Sequence, residues 1–292
     1  MIYTLNNELL DVHINSFGAC LDKVIYIPTY EQLLWQGDSN FWDGKDITIF
    51  PMVGRLKDGY YTYQGKKFTM DIHGIACYSE FSVIEKTDLS ITLLLKSSRS
   101  TLEKYPFKFE LFVNYTLDNN KLVTSYKVNN LSDKVMTFGI GGHPAYIIDG
   151  NIDKNGQLNT ANNYIIFDKK QQLNKIVMDE SNVFVSGVEK TESIDKIVLD
   201  KKVFDKDAII FEDFIGDITL VRENGRKISF ELNSPPILAM WSHKTMGNYV
   251  AIEPWWGLPD SNPPKRELDQ KLKMNTLDKG EVFRYTFTTE YN

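Results

Sequence analysis

Residues 109–128 read FELFVNYTLDNNKLVTSYKV, and in the first half of this stretch every second residue is apolar. Side chains of a β-strand alternate between its two faces, so a period of two is typical of a half-buried strand. The tripeptide Asp118-Asn119-Asn120 then favours a turn, since Asn and Asp tolerate a positive φ. The alternation resumes over 122–128, and the stretch therefore predicts an antiparallel β-hairpin. The residues expected on one face of it are Phe109, Leu111, Val113, Tyr115, Leu117, Leu122, Thr124, Tyr126 and Val128.

The same period of two recurs along the rest of the chain, with turn signals between the alternating stretches. The alternating stretches are 90–95, 227–232 and 282–288, and turns are expected at 64–65, 223–225 and 279–280. Only 98–104, just before Pro106, favours a helical turn. Many short strands separated by turns are typical of a large sandwich or barrel. We therefore predict an all-β fold.

The chain of 292 residues contains no Ser/Gly-rich linker and no internal repeat. Large β-sandwiches and barrels exceed two hundred residues as one domain, so the length does not require a division. We expect a single domain over 1–292. Within it, the polar stretch 151–202 is expected to form a long excursion with short strands, and 262–273 a second irregular connection.

Composition and charge argue against several kinds of partner. The formal net charge is −6 and the pI is near 5.4, whereas nucleic acids and anionic membranes attract basic surfaces. Neither partner is therefore expected. Cys20 and Cys77 lack the spacing of a metal site, and the first residues lack the pattern of a signal peptide. We expect a cytoplasmic protein, and the sequence leaves both a monomer and a homodimer open.

His143 is the first candidate for chemistry. It lies in the stretch FGIGGHPAY at 138–146, where three glycines leave the backbone open to close approach by a ligand or by another strand. Pro144 favours an extended conformation at His143. A core histidine in a glycine-rich bulge is the structural alternative. No helix follows the glycines, so the stretch is not a nucleotide-binding fingerprint.

Glu253 is the second candidate. It follows the apolar residues of YVAI at 249–252 and precedes Pro254 and two tryptophans. Partial loss of water at such a position raises the pKa of a carboxyl group and makes it a better base near neutral pH. A salt bridge at the end of a strand is the structural alternative. Trp255 and Trp256 could belong to the core or provide a platform for a sugar ring.

The remaining histidines and one arginine give weaker signals. His73 is followed by a glycine, and taken alone it favours a functional and a structural role equally. His13 is expected to be an ordinary strand residue, and His243 to decorate a loop. Arg55 follows an apolar run and a glycine, and close to the other candidates it would make a bidentate hydrogen-bond donor to hydroxyl groups.

Taken in order, these motifs resemble the aldose 1-epimerase family, also called galactose mutarotase-like proteins, and within it the LacX-type branch. The resemblance covers nearly the whole chain. It rests on Arg55 with Gly65-Lys66, His73-Gly74, Tyr105-Pro106-Phe107, His143 with Tyr146, Asp207, Asn224-Gly225-Arg226, and Glu253 with Pro259-Asp260. Around His143 and after Glu253 the sequence departs from the galactose mutarotase pattern, so galactose specificity does not carry over.

The resemblance implies a large antiparallel β-sandwich and an enzyme that interconverts the α and β anomers of a free aldose. Glu253 would be the base and His143 the acid, and each positioned proton transfer is worth about 10² to 10⁴ in rate. Arg55, His73 and Asp207 would orient the hydroxyl groups of the sugar. No metal ion or other cofactor is implied.

Three other functions stay open at this stage. A carbohydrate-binding or sensor protein of the same fold would lack turnover. A glycosidase would pair Glu253 with a second carboxylate about 5 to 10 Å away, for which Asp260 is nearest in sequence. A hexose-6-phosphate mutarotase would gather basic residues such as Lys57, Lys66 and Lys67 at the rim. The sequence also leaves open which of Trp35, Trp42, Trp255 and Trp256 lines the site.

Overall fold

The computed structural model describes residues 1–152, 158–159, 162–200, 202–244 and 247–292. Within them the strands are β1 (Ile2–Asn6), β2 (Leu10–Asn15), β3 (Cys20–Tyr26), β4 (Glu31–Gln32), β5 (Thr48–Ile49), β6 (Tyr60–Tyr63), β7 (Lys66–Thr69), β8 (Ser82–Lys86), β9 (Ser90–Lys96), β10 (Phe109–Asp118), β11 (Lys121–Asn130), β12 (Met136–Phe138), β13 (Ile140–Gly142), β14 (Ala145–Ile147), β15 (Asn151–Ile152), β16 (Leu158–Asn159), β17 (Tyr164–Met178), β18 (Val185–Val198), β19 (Ile209–Glu212), β20 (Ile218–Val221), β21 (Lys227–Glu231), β22 (Ile237–Trp241), β23 (Tyr249–Trp256), β24 (Asn275–Leu277) and β25 (Val282–Tyr291). The helices are α1 (Arg99–Lys104) and four short 3-10 helices at Ile27–Thr29, Lys57–Gly59, Ala76–Tyr78 and Leu268–Gln270.

Antiparallel pairing organises these strands. In the described part of the chain one large sheet has the order β5-β13-β23-β22-β19-β17-β20-β21-β25-β11-β10-β9-β8, with β14 added beside β23 and β18 beside β17. A second sheet has the order β1-β2-β3-β4, and three further strand pairs are β12-β24, β15-β16 and β6-β7. The strand content and the antiparallel sheets confirm the predicted all-β sandwich.

The hairpin expected at 109–128 is formed by β10 and β11. Val113 pairs with Tyr126, and the side chains of β10 alternate between buried and half-buried along the strand. Asn119 in the turn has a φ of 55°, as its turn chemistry predicts. The hairpin is therefore set by local sequence, and its buried face contributes to the main core.

The predicted helical turn is also present, as α1. Ser98 caps it, because its hydroxyl accepts a hydrogen bond from the Thr101 N–H at 3.3 Å. α1 ends two residues before Pro106, which disfavours a helical residue ahead of it. In the described ranges, no helix has the length and apolar character needed to cross a bilayer.

The stretch 151–202 differs from the prediction of short strands. Its described part contains β17 and β18, of 15 and 14 residues, which pair as a long hairpin. Most of β18 is exposed, so its stability comes from backbone pairing. For the same reason its sequence lacks the alternating apolar pattern by which a strand is recognised. β17 joins the large sheet through β20 at one end and β19 at the other.

Strand β23 is buried on both faces, which explains why YVAIEPWW lacks alternation. Val250, Ile252 and Trp256 face the main core. Ala251 and Trp255 face the opposite side, where they belong to two smaller apolar clusters. Glu253 has the same parity as these two residues, so the strand directs this carboxyl group away from the main core.

Gly74 allows two segments to cross beside this strand. The backbone of Phe50 forms a parallel bridge to Gly74, and the Ile75 N–H donates to the Phe50 carbonyl at 2.7 Å. Gly74 has a φ of +90°, and a Cβ atom there would lie 2.2 Å from the Phe50 carbonyl oxygen. The crossing fixes the position of the preceding residue, His73, whose N–H donates to the Gly54 carbonyl at 3.0 Å.

We expect Gly74→Ala to destabilise the fold more than Gly65→Ala. Gly65 has a φ of +72° but has open space around it, so alanine there carries only the cost of a left-handed conformation, about 1–2 kcal/mol. Alanine at Gly74 adds a clash with backbone, worth about 1–3 kcal/mol more. Urea unfolding of both variants measures the difference, and equal midpoints would contradict the close crossing.

Candidate active site

A cavity of about 410 Å³ opens at one side of β23. Residues from several separate segments of the chain line this cavity. They include Arg55, His73, His143, Asp207 and Glu253. The lining residues are Trp42, Ile47, Gly54, Arg55, Ile72, His73, Tyr78, His143, Met178, Asn182, Val183, Asp207, Ala208, Ile210, Trp241, Glu253, Trp255 and Pro259. The structure thus brings together all five residues that the sequence analysis placed in the site.

His143, at the break between β13 and β14, lies opposite Glu253 on β23. The pairs Gly141–Trp255 and Ala145–Ala251 bracket them, so the same register places His143 across from Glu253. The imidazole Nε2 is 3.2 Å from the Glu253 carboxylate oxygen Oε2, and the two side chains are only 8% and 1% exposed. This geometry brings a carboxyl group and an imidazole together at the floor of the cavity.

Glycine is needed beside this pair. A Cβ atom on Gly141 would lie 2.5 Å from the Pro254 carbonyl oxygen, and one on Gly142 would lie 2.8 Å from the Tyr126 hydroxyl. The glycines that precede His143 therefore allow its strand to lie close to β23 and to the core behind it. The glycines therefore have a structural role in this close packing, and the functional role of His143 stays a prediction.

Burial controls the protonation of the pair. It lowers the pKa of His143 well below 6.5, and the neighbouring His73 lowers it further. Burial raises the pKa of Glu253 well above 4.5, and the negative charge of Asp207 adds to this effect. Because water is excluded, the pair as a whole is stable with one proton, which can reside on either group.

His73 presents a defined tautomer to the cavity. Its backbone has a left-handed φ of 61°, which is uncommon for a residue other than glycine. The Gly54 N–H points at its Nδ1 at 3.4 Å, so Nδ1 is an acceptor and the proton of the neutral ring lies on Nε2. Burial, with a contribution from the Arg55 charge, lowers the pKa of His73 to about 4. His73 is therefore a neutral hydrogen-bond donor near neutral pH.

Arg55 and Asp207 bring opposite charges to the mouth of the cavity. Both residues are exposed to solvent. The backbone of Asp207 has a left-handed φ of 69°. Partial loss of water still raises the pKa of Asp207, while a hydrogen bond from Trp241 and the charge of Arg55 oppose this rise. A guanidinium group and a carboxylate placed in this way can bind several hydroxyl groups of one small polar molecule.

Indole rings form much of the cavity wall. Trp42, Trp241 and Trp255 line it, and the ring centroid of Trp42 is 4.9 Å from that of His143. Trp35 supports Trp42 from behind, since its indole N–H donates to the Trp42 carbonyl at 2.9 Å. Trp256 faces the main core instead, with its ring 4.1 Å from that of Tyr285.

Trp241 was not identified from the sequence. It ends an apolar strand, β22, and nothing in its local sequence distinguishes it from a core residue. The pairing of β22 with β23, which places Trp241 opposite Ala251, is what brings its indole to the cavity.

The other two histidines differ in their distance from the site. His13 lies on β2 with its Nε2 3.3 Å from an Asp11 carboxylate oxygen, which agrees with an ordinary strand residue. His243 follows β22, its ring centroid is 6.0 Å from that of Phe41, and its charge lowers the pKa of Asp207. His243 therefore lies closer to the cavity than its predicted position in a surface loop implied.

Asp260 is held away from the cavity. Its carboxylate oxygen is 2.9 Å from Nζ of Lys271, and both side chains are buried. The same carboxylate accepts a hydrogen bond from the Lys57 N–H at 3.1 Å, while its own N–H donates to the Arg55 carbonyl. Asp260 therefore fixes the segment that carries Arg55. Over the described ranges, no group of three or more His, Cys, Asp and Glu side chains could hold a metal ion.

Comparisons with known proteins confirm the family resemblance seen in the motifs. A solved galactose mutarotase related enzyme from Lactobacillus acidophilus has 32% sequence identity and a TM-score of 0.92, with 100% of this chain and 97% of that chain covered. A galactose mutarotase-like protein from Lactobacillus casei has 24% identity and a TM-score of 0.90, with both chains fully covered, and so shares the fold.

Among curated proteins, the chromosomal LacX protein of Lactococcus lactis subsp. lactis is 28% identical over 290 residues, which is 95% of each chain. The family profile described as aldose 1-epimerase matches residues 1–290. The chain therefore belongs to the aldose 1-epimerase family.

Proposed function

We propose that this protein is an aldose 1-epimerase that interconverts the α and β anomers of a free aldose. The observation that carries the proposal is the buried pair of His143 and Glu253, 3.2 Å apart at the floor of the cavity. The ring oxygen and the anomeric oxygen of a pyranose are bonded to the same carbon, C1, so an acid and a base this close can reach both oxygens at once.

The chemistry needs two proton transfers in each direction. Glu253 takes the proton of the C1 hydroxyl while His143 donates a proton to the ring oxygen, so the bond from C1 to the ring oxygen breaks and C1 becomes a carbonyl. The C1–C2 bond then rotates. Ring closure on the other face returns one proton from Glu253 to O1 and one from the new hydroxyl group to His143, which restores the starting state.

A pair that shares one proton suits this cycle. Ring opening leaves Glu253 protonated and His143 neutral, and ring closure needs that state as its starting point. Burial raises the pKa of Glu253 and lowers the pKa of His143, which shifts the proton from the imidazole towards Glu253, the arrangement from which ring closure begins. A large energy gap between the two arrangements of the proton would slow one half of the cycle.

The rest of the cavity is suited to a monosaccharide. Its volume of about 410 Å³ lies in the range of small-molecule sites. His73 donates from Nε2, Arg55 donates from its guanidinium group, and Asp207 accepts. The indole faces of Trp42 and Trp241 provide the flat apolar surface on which the C–H groups of a sugar ring pack.

The charges favour an unphosphorylated sugar. In the described part of the chain, Arg55 is the only lysine or arginine that lines the cavity, and it is accompanied by two acidic side chains. Lys57 packs over the ring of Phe184 and Lys67 over that of Tyr60, so neither basic group is directed to the cavity. A phosphate group would meet a single guanidinium group, whose charge Asp207 already balances, and no cluster of basic side chains.

The other functions considered are less well supported. Glycoside hydrolysis with Asp260 as the second carboxylate is disfavoured, because Asp260 pairs with Lys271. A binding protein without turnover has no use for a desolvated acid and base in contact, since burial of such groups costs stability. Membership of the aldose 1-epimerase family and the likeness to a galactose mutarotase related enzyme support the catalytic proposal.

We expect Glu253→Gln and His143→Gln to lower the enzymatic rate of mutarotation by about 10² to 10⁴ each, because each variant loses one positioned proton transfer. His13→Gln is the matched control, since His13 lies on β2, away from the cavity, and should keep the wild-type rate. Polarimetry of freshly dissolved α-glucose, α-galactose and their 6-phosphates measures the rates. Wild-type rates in both site variants would refute the proposed chemistry, and acceleration limited to the 6-phosphates would refute the preference for free sugars.

We also expect an acid limb below pH 6.5 in the profile of kcat/KM. A second proton on the pair of His143 and Glu253 leaves no base. Burial lowers the pKa of His143 below its ordinary value of 6.5. Activity that is present at neutral pH is therefore lost only as the pH falls below 6.5. Protonation of His73, with a pKa of about 4, removes further activity. Rates corrected for spontaneous mutarotation test this, and an acid limb centred above pH 6.5 would contradict it.

A further inference from the structure

Asp46 is a buried carboxyl group immediately behind the cavity. Asp46 is 9% exposed, and it does not line the cavity. The Leu21 N–H donates to its Oδ2 at 2.9 Å. The backbone N–H groups of His143 and Ile47 also lie close enough to stabilise its negative charge, while the Tyr115 hydroxyl donates to the Ala19 carbonyl at 2.9 Å. Backbone donors from three different segments of the chain therefore converge on one side chain.

Strand register explains why the side chain of Asp46 is needed at this point. β5 pairs with β13 through Thr48–Gly142 and Ile49–Gly141, and further along the Ala145 N–H donates to the Lys45 carbonyl at 3.0 Å. Between these two points the same register places Pro144 opposite Asp46. Proline has no N–H, so the regular ladder is interrupted, and the Asp46 carboxyl group lies beside the His143 N–H at this point.

The environment of Asp46 indicates that this arrangement is specific. Burial raises the pKa of Asp46 to about 6, and the backbone hydrogen bonds from Leu21, His143 and Ile47 partly offset that rise. Buried aspartates are rare unless they have partners that compensate the lost water. Here the compensation comes mainly from backbone N–H groups, so removal of the carboxyl group leaves the Leu21 N–H unpaired and takes a negative charge away from the His143 N–H.

We propose that Asp46 is a positioning residue, which holds the backbone of His143 so that its imidazole faces Glu253. This inference rests on the proposed function. Asp46 takes no part in proton transfer to the sugar, and it acts only through His143. A displacement of about 1 Å at a catalytic group can lower the rate by about 100-fold, and this sets the size of the expected effect.

Asp46→Asn tests the proposal because the amide is close in shape but presents N–H groups to N–H donors. We expect kcat to fall by about 10- to 100-fold, with little change in KM because every residue that lines the cavity is kept. Asp217→Asn is the matched control. Asp217 also accepts a backbone N–H, that of Leu232 at 2.9 Å, but neither residue lines the cavity, so kcat should not change.

A double-mutant cycle separates positioning from general damage to the fold. If Asp46 acts through His143, adding Asp46→Asn to His143→Gln should lower the remaining activity no further. A purely structural role would lower it by the same factor as in the wild type, and that outcome would overturn the proposal. So would a kcat of Asp46→Asn equal to that of the wild type.

Two further readouts keep the result interpretable. If thermal unfolding shows that Asp46→Asn does not fold, Asp46→Ser removes the carboxyl group without adding an amide, and the same cycle applies to it. If His143→Gln itself keeps the wild-type rate, the proposed function fails and the role of Asp46 fails with it. If His143→Gln is inactive while Asp46→Asn is fully active, only the role of Asp46 fails.

Discussion

The pairing of β13 and β14 with β23 is the constraint on which the rest of the structure depends. Antiparallel register places His143 directly across from Glu253, and the paired strands are interrupted between β13 and β14, where the Ile252 N–H still donates to the Pro144 carbonyl at 3.1 Å. Two side chains from distant parts of the chain thereby meet at 3.2 Å without any loop having to bring them together. A site built on paired strands holds its geometry more rigidly than one built on loops.

The segments around His143 and Glu253 stabilise an arrangement that is unfavourable by itself. Burial of an acid and an imidazole in contact is unfavourable unless both share one proton. The glycines before His143 let its strand lie close to β23, at the expense of local stability. His73 is held in a left-handed conformation by its hydrogen bonds with Gly54. These features are typical of functional sites, where the fold maintains local strain for the sake of chemistry.

The remaining walls of the cavity come from elements that share no local sequence pattern. Trp42 lies in the connection before β5, Asp207 lies before β19, and Asn182 lies in the turn between β17 and β18. The large sheet brings these connections to one side of β23. These parts of the wall therefore come from connections between strands, whereas Glu253 on the floor belongs to β23. We expect substrate preference to reside in the connections.

The sequence by itself determined the all-β fold, the hairpin at 109–128 and the helical turn after Ser98, because alternation and turn chemistry are local signals. Neighbouring residues also marked Arg55, His73, His143 and Glu253 as candidates for the site, whereas Asp207 came only from the resemblance to a family. The sequence did not determine β17 and β18, whose exposed faces leave no alternating pattern. It also could not identify Trp241 or Asp46, or choose among the tryptophans. Those residues acquire their roles from which strands pair and in what register, and such long-range contacts leave no mark on the neighbouring sequence.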